Sequence, residues 1–243
     1  MSRGMRAVLA QTRVELTLTL RRGESLLVAF LVPVGILVFF TKVDAVSTVR
    51  RPVDFLVPGV LALAVMSSAM VSLGIATGFE RRYGVLKRLG STPLSRGGLL
   101  GAKTLNVLVI EVLQAAVVIG TGLALGWETH EGIAAAVVLV LVGTIAFAAI
   151  GMLLAGTLRA EANLAAANGL FLVLLFLGGM AYPLHKLPDA LQTVARSLPA
   201  AALSSSLRDV LRGAAFPWGP VGVLVAWAIL APMLAVRFFR WEE

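Results

Sequence analysis

The sequence predicts an all-α polytopic membrane protein with six transmembrane helices, an N-terminal amphipathic helix at the membrane interface and a short helix on the cytoplasmic side. Three observations carry that reading. Of 243 residues, 58% are hydrophobic and only 14% are charged, against about half and a quarter in soluble domains. The apolar residues gather in six runs near the length of about 20 residues that a helix needs to cross a bilayer. The basic residues gather between those runs. No low-complexity linker and no long repeat divides the chain, so residues 1–243 read as one domain with an arm over residues 1–24.

In the arm, Met5, Leu9, Leu16 and Leu20 recur at near-helical spacing, while Arg6, Arg13 and Arg21 fall largely elsewhere. That pattern predicts a helix lying in the cytoplasmic interface with its apolar side chains in the acyl boundary, in preference to a basic tail. The predicted spans cover residues 25–41, 55–79, 99–126, 133–158, 164–182 and 219–237. Pro33 falls inside the first and is expected to kink it. Val43-Asp44-Ala45 weakly resembles a signal-peptide cleavage site. The apolar run before it is long for a signal core, and so is the preceding basic region, so a retained span is expected.

Lysine and arginine counts set the orientation, because cytoplasmic loops carry the excess. The arm, the segment between spans two and three, Arg159 and the C-terminal pair Arg237 and Arg240 hold 14 of the 21 basic residues. Lys42, Arg50, Arg51, Lys186, Arg196, Arg208 and Arg212 make up the opposite side. Both termini are therefore expected inside. Residues 183–218 do not span; four prolines alternate there with Ala201, Ala202, Leu203, Leu207, Val210 and Leu211. Uninterrupted coil of that length is uncommon, so short amphipathic helices at the outer mouth are expected.

Composition also excludes. With no cysteine there is no disulfide, thiol catalysis or cysteine-ligated metal. His130 and His185, the only histidines, are far apart, so no metal site is expected. The net charge of +8 reads as topology and contact with anionic lipid rather than nucleic-acid binding. No G-x-x-x-x-G-K-[ST] loop exists to cradle a nucleotide phosphate, and the spans hold no Ser–His or His–Glu cluster, so the chain is not expected to be an enzyme.

The most informative window runs from Asp54 to Lys103. It enters a span at Pro58-Gly59, leaves at Glu80-Arg81-Arg82, continues through Gly84, Leu86 and Leu89, turns at Thr92-Pro93-Leu94-Ser95 and re-enters at Leu99. This order resembles the type-2 ABC transporter permeases, the family of many bacterial drug, antibiotic and polysaccharide exporters. Gly178-Gly179 with Tyr182-Pro183-Leu184 and Leu187-Pro188 resembles the family's ending of span five. Pro199, Leu207-Arg208 and Gly213 resemble its segment before span six. Lys87 stands where relatives often carry an acidic residue, so an ion pair they make there is expected to be absent or reversed.

Physics supports a force-transmitting role for the window. A short rigid cytoplasmic helix at residues 81–91 can seat in a groove of a partner. Tyr83, Leu86 and Leu89 would be its anchors, Arg82, Lys87 and Arg88 its rim, and Pro93 its end. Glu80, Arg81, Arg82, Tyr83, Leu86, Lys87, Leu89, Thr92 and Pro93 are thus the expected coupling residues. The resemblance implies a separate ATPase subunit in two copies, holding ATP and Mg, and a second permease copy to complete the pore.

A few polar groups lie inside the spans. Glu111 sits near the middle of span three with Gln114 on the same face, and burying a carboxylate there costs a few kcal/mol. Either a substrate contact, a protonatable site or a helix–helix hydrogen bond accounts for it. Span two mixes Ser67, Ser68, Ser72 and Thr77 with Met66 and Met70, and span five carries Asn163 and Asn168 among small residues. In the resembling family, spans two and five line the dimer interface where substrate passes. Met66, Ser67, Met70, Glu111, Gln114 and Asn168 are accordingly the candidate pathway residues. The expected function is export of a hydrophobic or amphipathic compound (a drug, an antibiotic or a lipid) across a bacterial plasma membrane. The alternatives are a polysaccharide or glycolipid exporter and an ion-coupled carrier using Glu111.

Overall fold

In hydrocarbon a backbone must satisfy its own polar groups, and a helix does so within one segment. The computed structural model describes residues 3–21, 23–43, 51–90, 96–128, 132–180 and 183–240. Every regular element among the described residues is helical. The chain runs through α1 (Arg3–Arg21), α2 (Gly23–Lys42) and α3 (Pro52–Val65). A π-helical segment (Met66–Ser72) then leads without a break into α4 (Leu73–Arg82), followed by α5 (Val85–Gly90) and α6 (Arg96–Ala124). After these come α7 (Ile133–Thr157), α8 (Ala160–Leu177), a 3-10 turn (Leu184–Lys186), α9 (Asp189–Arg196), α10 (Pro199–Leu211) and α11 (Trp218–Phe238).

Among the described residues, five helical stretches are long and apolar enough to cross a membrane: Pro52–Arg82, Gly101–Ala124, Ile133–Thr157, Ala160–Leu177 and Trp218–Phe238. They fall on predicted spans two to six. The expected first span falls on α2, which continues through Pro33. Among the described residues its apolar stretch covers Ala29–Lys42.

Span two is the axis of the bundle. From Phe55 to Val65 every residue of α3 is buried, and α2, α6, α7 and α10 surround it. A helix apolar on all sides belongs in the interior. Beside it, α7 packs on α11, α4, α10 and the π-helical segment. Glycine permits these contacts: a Cβ on Gly151 would lie 2.4 Å from the Met70 carbonyl oxygen, and one on Gly74 would lie 3.0 Å from the Gly151 oxygen.

Two elements make contacts that their local sequence pattern does not show. The α1 helix exposes Met5, Leu9, Val14, Leu18 and Leu20 together with Arg6, Arg13 and Arg21, while Leu16 is half-buried. The face it lays on α6 is polar, carrying Gln11, Thr12, Glu15 and Thr19. Thus directional bonds contribute to holding α1 on α6. The segment 183–218 forms short helices as expected, and α9 is amphipathic, but α10 is buried on nearly every side among α3, α7, α8 and α11. An isolated reading of its apolar residues cannot count the helices that enclose it.

The Gly151–Met70 contact generates a prediction. Gly151→Val is expected to destabilise the bundle by about 1–3 kcal/mol, since backbone and not a flexible side chain must move. Gly169→Val, with open space around its Cβ, is expected to leave the thermal unfolding midpoint in detergent unchanged.

Candidate functional site

Glycine and charge shape the exit of span two. The α4 helix ends at Arg82, with Tyr83 as its C-cap. Gly84 follows at φ 70°, a left-handed conformation open mainly to glycine, and no neighbouring atom crowds it. The residue is therefore required by the backbone turn that launches α5, not by packing.

Three consecutive side chains before that turn reach three different parts of the bundle. Glu80 Oε2 lies 2.6 Å from Lys103 Nζ on α6, and the same Nζ lies 3.0 Å from Glu15 Oε1 on α1. Gln11 donates to that Glu15 oxygen as well, at 3.0 Å. Arg81 is buried and donates to the Leu158 carbonyl between α7 and α8, and at 3.5 Å to the Arg240 carbonyl after α11. Arg82 pairs with Glu161 at the start of α8. The Arg240 backbone N–H in turn donates to Gly156 O at 3.0 Å. Glu80-Arg81-Arg82 therefore ties together the same-side ends of α1, α6, α7, α8 and α11.

These ties differ in weight. Lys103 is only 2% exposed, so removing both carboxylate partners would strand a desolvated charge, a change that costs about 3–5 kcal/mol where a buried pair is broken. Arg82 and Glu161 are largely exposed, and such pairs contribute about 0–1 kcal/mol.

Beyond the turn, Tyr83 is 66% exposed, with its ring stacked on Phe79, and Val85, Lys87 and Arg88 are also exposed. Leu86 is 1% exposed. It anchors α5 inward, onto its own protomer, rather than outward as its spacing suggested. The Leu89 side chain, Thr92 and Pro93 lie outside the described residues.

Among the intramembrane candidates, Met66 and Met70 are fully buried in the π-helical segment, Ser67 is half-buried, and Asn168 is exposed with its amide donating to Leu164 O at 2.8 Å. Gln114 is 1% exposed and joins three spans. Its Oε1 accepts from Ser68 Oγ at 2.7 Å, and its Nε2 donates to Ala29 O at 2.9 Å. Glu111 is buried against Thr144 of α7 at 2.5 Å, and that hydroxyl also lies 2.9 Å from Val140 O. The structure thus brings Gln114 to span two but leaves Glu111 on a separate pair, and Asn168 stands apart from both. Among the described residues no three of His, Asp and Glu gather as a metal site; His130 lies outside those residues.

At the opposite end, three motifs that are distant in sequence meet. The Arg208 guanidinium of α10 is 3.9 Å from the centre of the Phe55 ring, and its Nη2 donates to Gly179 O at 2.7 Å. Ser204 Oγ donates to Gly178 O at 2.5 Å. A Cβ on Gly59 would collide with Met180 O, so the Pro58-Gly59 entry lets the Gly178-Gly179 turn rest on span two. Burial pushes the Arg208 guanidinium down to about 10, which leaves it charged at neutral pH.

Sequence reasoning missed Glu15 and Thr144 and treated Lys103 only as a topology charge. A signal for Lys103 was present: an ionisable residue four positions inside the apolar run that begins at Leu99.

Apolar membrane-crossing helices around a buried central span, tied by charge at one end, define a multi-pass α-helical membrane protein. Over residues 27–237 the chain matches the ABC-2 family transporter proteins. It belongs to that family and is a transmembrane permease of an ABC transporter, a class that works with an ATPase partner and is in general not itself enzymatic. It is 26% identical over 244 residues to the "Putative transport permease YvfS" of Bacillus subtilis (strain 168), across 98% of this chain and 99% of that one.

The geometry of Arg81 generates a prediction. Arg81→Met removes the donors to Leu158 O and Arg240 O, and losing charged hydrogen bonds of this kind costs about 1.5–3 kcal/mol each. The variant is expected to unfold at lower temperature than the native chain in detergent, whereas Arg82→Met is expected to stay close to it.

Proposed function

We propose that this permease is half of the pore of an exporter in the plasma membrane, driven through α5 by a separate nucleotide-binding subunit. The observation that carries the reading is the exit of span two. An outward patch of Tyr83, Val85, Lys87 and Arg88 sits on a short helix pinned inward by Leu86. Immediately before it, Glu80-Arg81-Arg82 is tied to the ends of four spans and of α1. A push on such a patch is delivered to the bundle and not lost in a loop.

Aromatic and basic side chains are the usual anchors of interfaces, and Tyr83 is the most exposed aromatic on this turn. Two ATPase subunits, holding ATP and Mg, would close and press on two α5 helices of two permease copies. The knotted end is then cytoplasmic, in keeping with the lysine and arginine counts, with both termini inside and α2 as the first of six spans. The basic and apolar outer face of α1 suits the headgroup region of an anionic leaflet. Cargo of hydrophobic or amphipathic character fits the apolar lining that spans of this composition would present. The resemblance to drug and antibiotic exporters favours efflux. The relative's description as a transport permease agrees with the class.

Two measurements test this reading. Tyr83→Ala with Lys87→Glu is expected to reduce co-purification of the ATPase subunit severalfold while leaving the unfolding temperature of the permease unchanged; undiminished co-purification rejects α5 as the docking helix. The chain has no cysteine, so single cysteines report topology directly. In intact cells a membrane-impermeant maleimide is expected to label Lys186→Cys but not Lys87→Cys; the reverse pattern rejects the orientation.

A further inference from the structure

Lys103 is among the largest fully buried side chains and, among the described residues, the only lysine in that group. Its ammonium lies between two carboxylates on two other elements, Glu15 of α1 and Glu80 of α4. The rest of the contact between α1 and α6 is also directional. Asn106 Nδ2 donates to Thr19 Oγ1 at 3.2 Å, and Thr12 Oγ1 lies 3.5 Å from Ala102 O.

The physical consequence lies in how such a joint yields. Apolar helix faces can slide by small steps, because dispersion contacts are exchanged for similar ones. A buried cation between two carboxylates cannot, since separation leaves charges bare in a medium that does not solvate them. The Glu80 end of the joint is at the root of α5, four residues before Gly84. The Glu15 end is on the helix whose outer face is apolar and basic.

We infer that Lys103 is a positioning residue for energy coupling: it makes α1 part of the unit that α5 moves, so that α1 travels with the root of span two. A helix held only by lipid would stay behind when span two moved. This inference rests on α5 being the point at which the ATPase pushes.

The test uses the assembled complex with its ATPase subunit in lipid, compared nucleotide-free and trapped with ATP and vanadate. Spin-label distances are read on doubly labelled chains diluted with unlabelled chain, so that distances within one chain dominate. Arg13→Cys reports α1, Val85→Cys reports α5, and Trp218→Cys at the far end is the reference; all three native side chains are exposed. On trapping, both the 13–218 and the 85–218 distances are expected to shift, with 13–85 unchanged. Glu15→Ala removes the ionic link to α1, leaves the neutral Thr12 and Thr19 bonds, and keeps Lys103 and Glu80 as a one-to-one pair, so the core is retained. In that background the 85–218 shift is expected to persist while the 13–218 shift is lost.

A native α1 that stays fixed while α5 moves overturns the inference, as does a 13–218 shift that survives Glu15→Ala. If 85–218 itself does not change in the native complex, the coupling role of α5 fails and this inference falls with it. Lys103→Gln is a second variant: it is expected to reproduce the loss of the 13–218 shift wherever it assembles.

Discussion

The buried ammonium of Lys103 and the guanidinium of Arg81 share one constraint: neither can leave its partners without leaving a buried charge unpaired. Both sit against the last turn of span two, so that turn becomes the place where the ends of separate helices are held in register. The cluster of Lys103 with Glu15 and Glu80 reaches α1 and α6. Arg81 reaches the α7–α8 connection and the segment after α11. Hydrophobic burial alone would not select this arrangement, because in a bilayer apolar helix faces gain little by meeting each other instead of lipid.

The opposite end is held by the same logic with different groups. There Arg208 caps the carbonyl of Gly179 and lies over Phe55, and glycine at 59 removes the side chain that would keep the Gly178-Gly179 turn away. Between the two ends, Gln114 bridges α2, α6 and the π-helical part of span two. A π-helical turn inside a long helix often marks a functional position. Here it places Ser68 toward Gln114 and Met70 against Gly151. Span two is thus clamped at both ends and locally irregular in the middle.

Much of this protein was readable without coordinates, for reasons that can be named. Spans two to six were legible because bilayer thickness imposes a minimum apolar length on each one separately. The turn after Arg82 was legible because Gly84 is a local requirement of the backbone. The burial of Leu86 was not legible, because a hydrophobic residue on a six-residue helix can face a partner or its own bundle, and spacing does not distinguish them. The polar inner face of α1 was missed because Gln11, Thr12, Glu15 and Thr19 acquire meaning only beside Ala102, Lys103 and Asn106, some 87 to 90 positions away.

By itself the sequence determined that this chain belongs in a membrane, its helical character, the places of five of its long apolar helices, and the family to which its glycine, proline and charge motifs belong. Each of those depends on composition over one or two turns or on a single contiguous apolar run. Only the tertiary structure decided which charges are partnered. It joined Glu80 to Lys103 and Glu15, Arg81 to the carbonyls beyond α7 and α11, and Gly59 to the Met180 backbone. Those pairings are long-range, and a buried charge finds its partner by the geometry of packed helices, which no local pattern encodes.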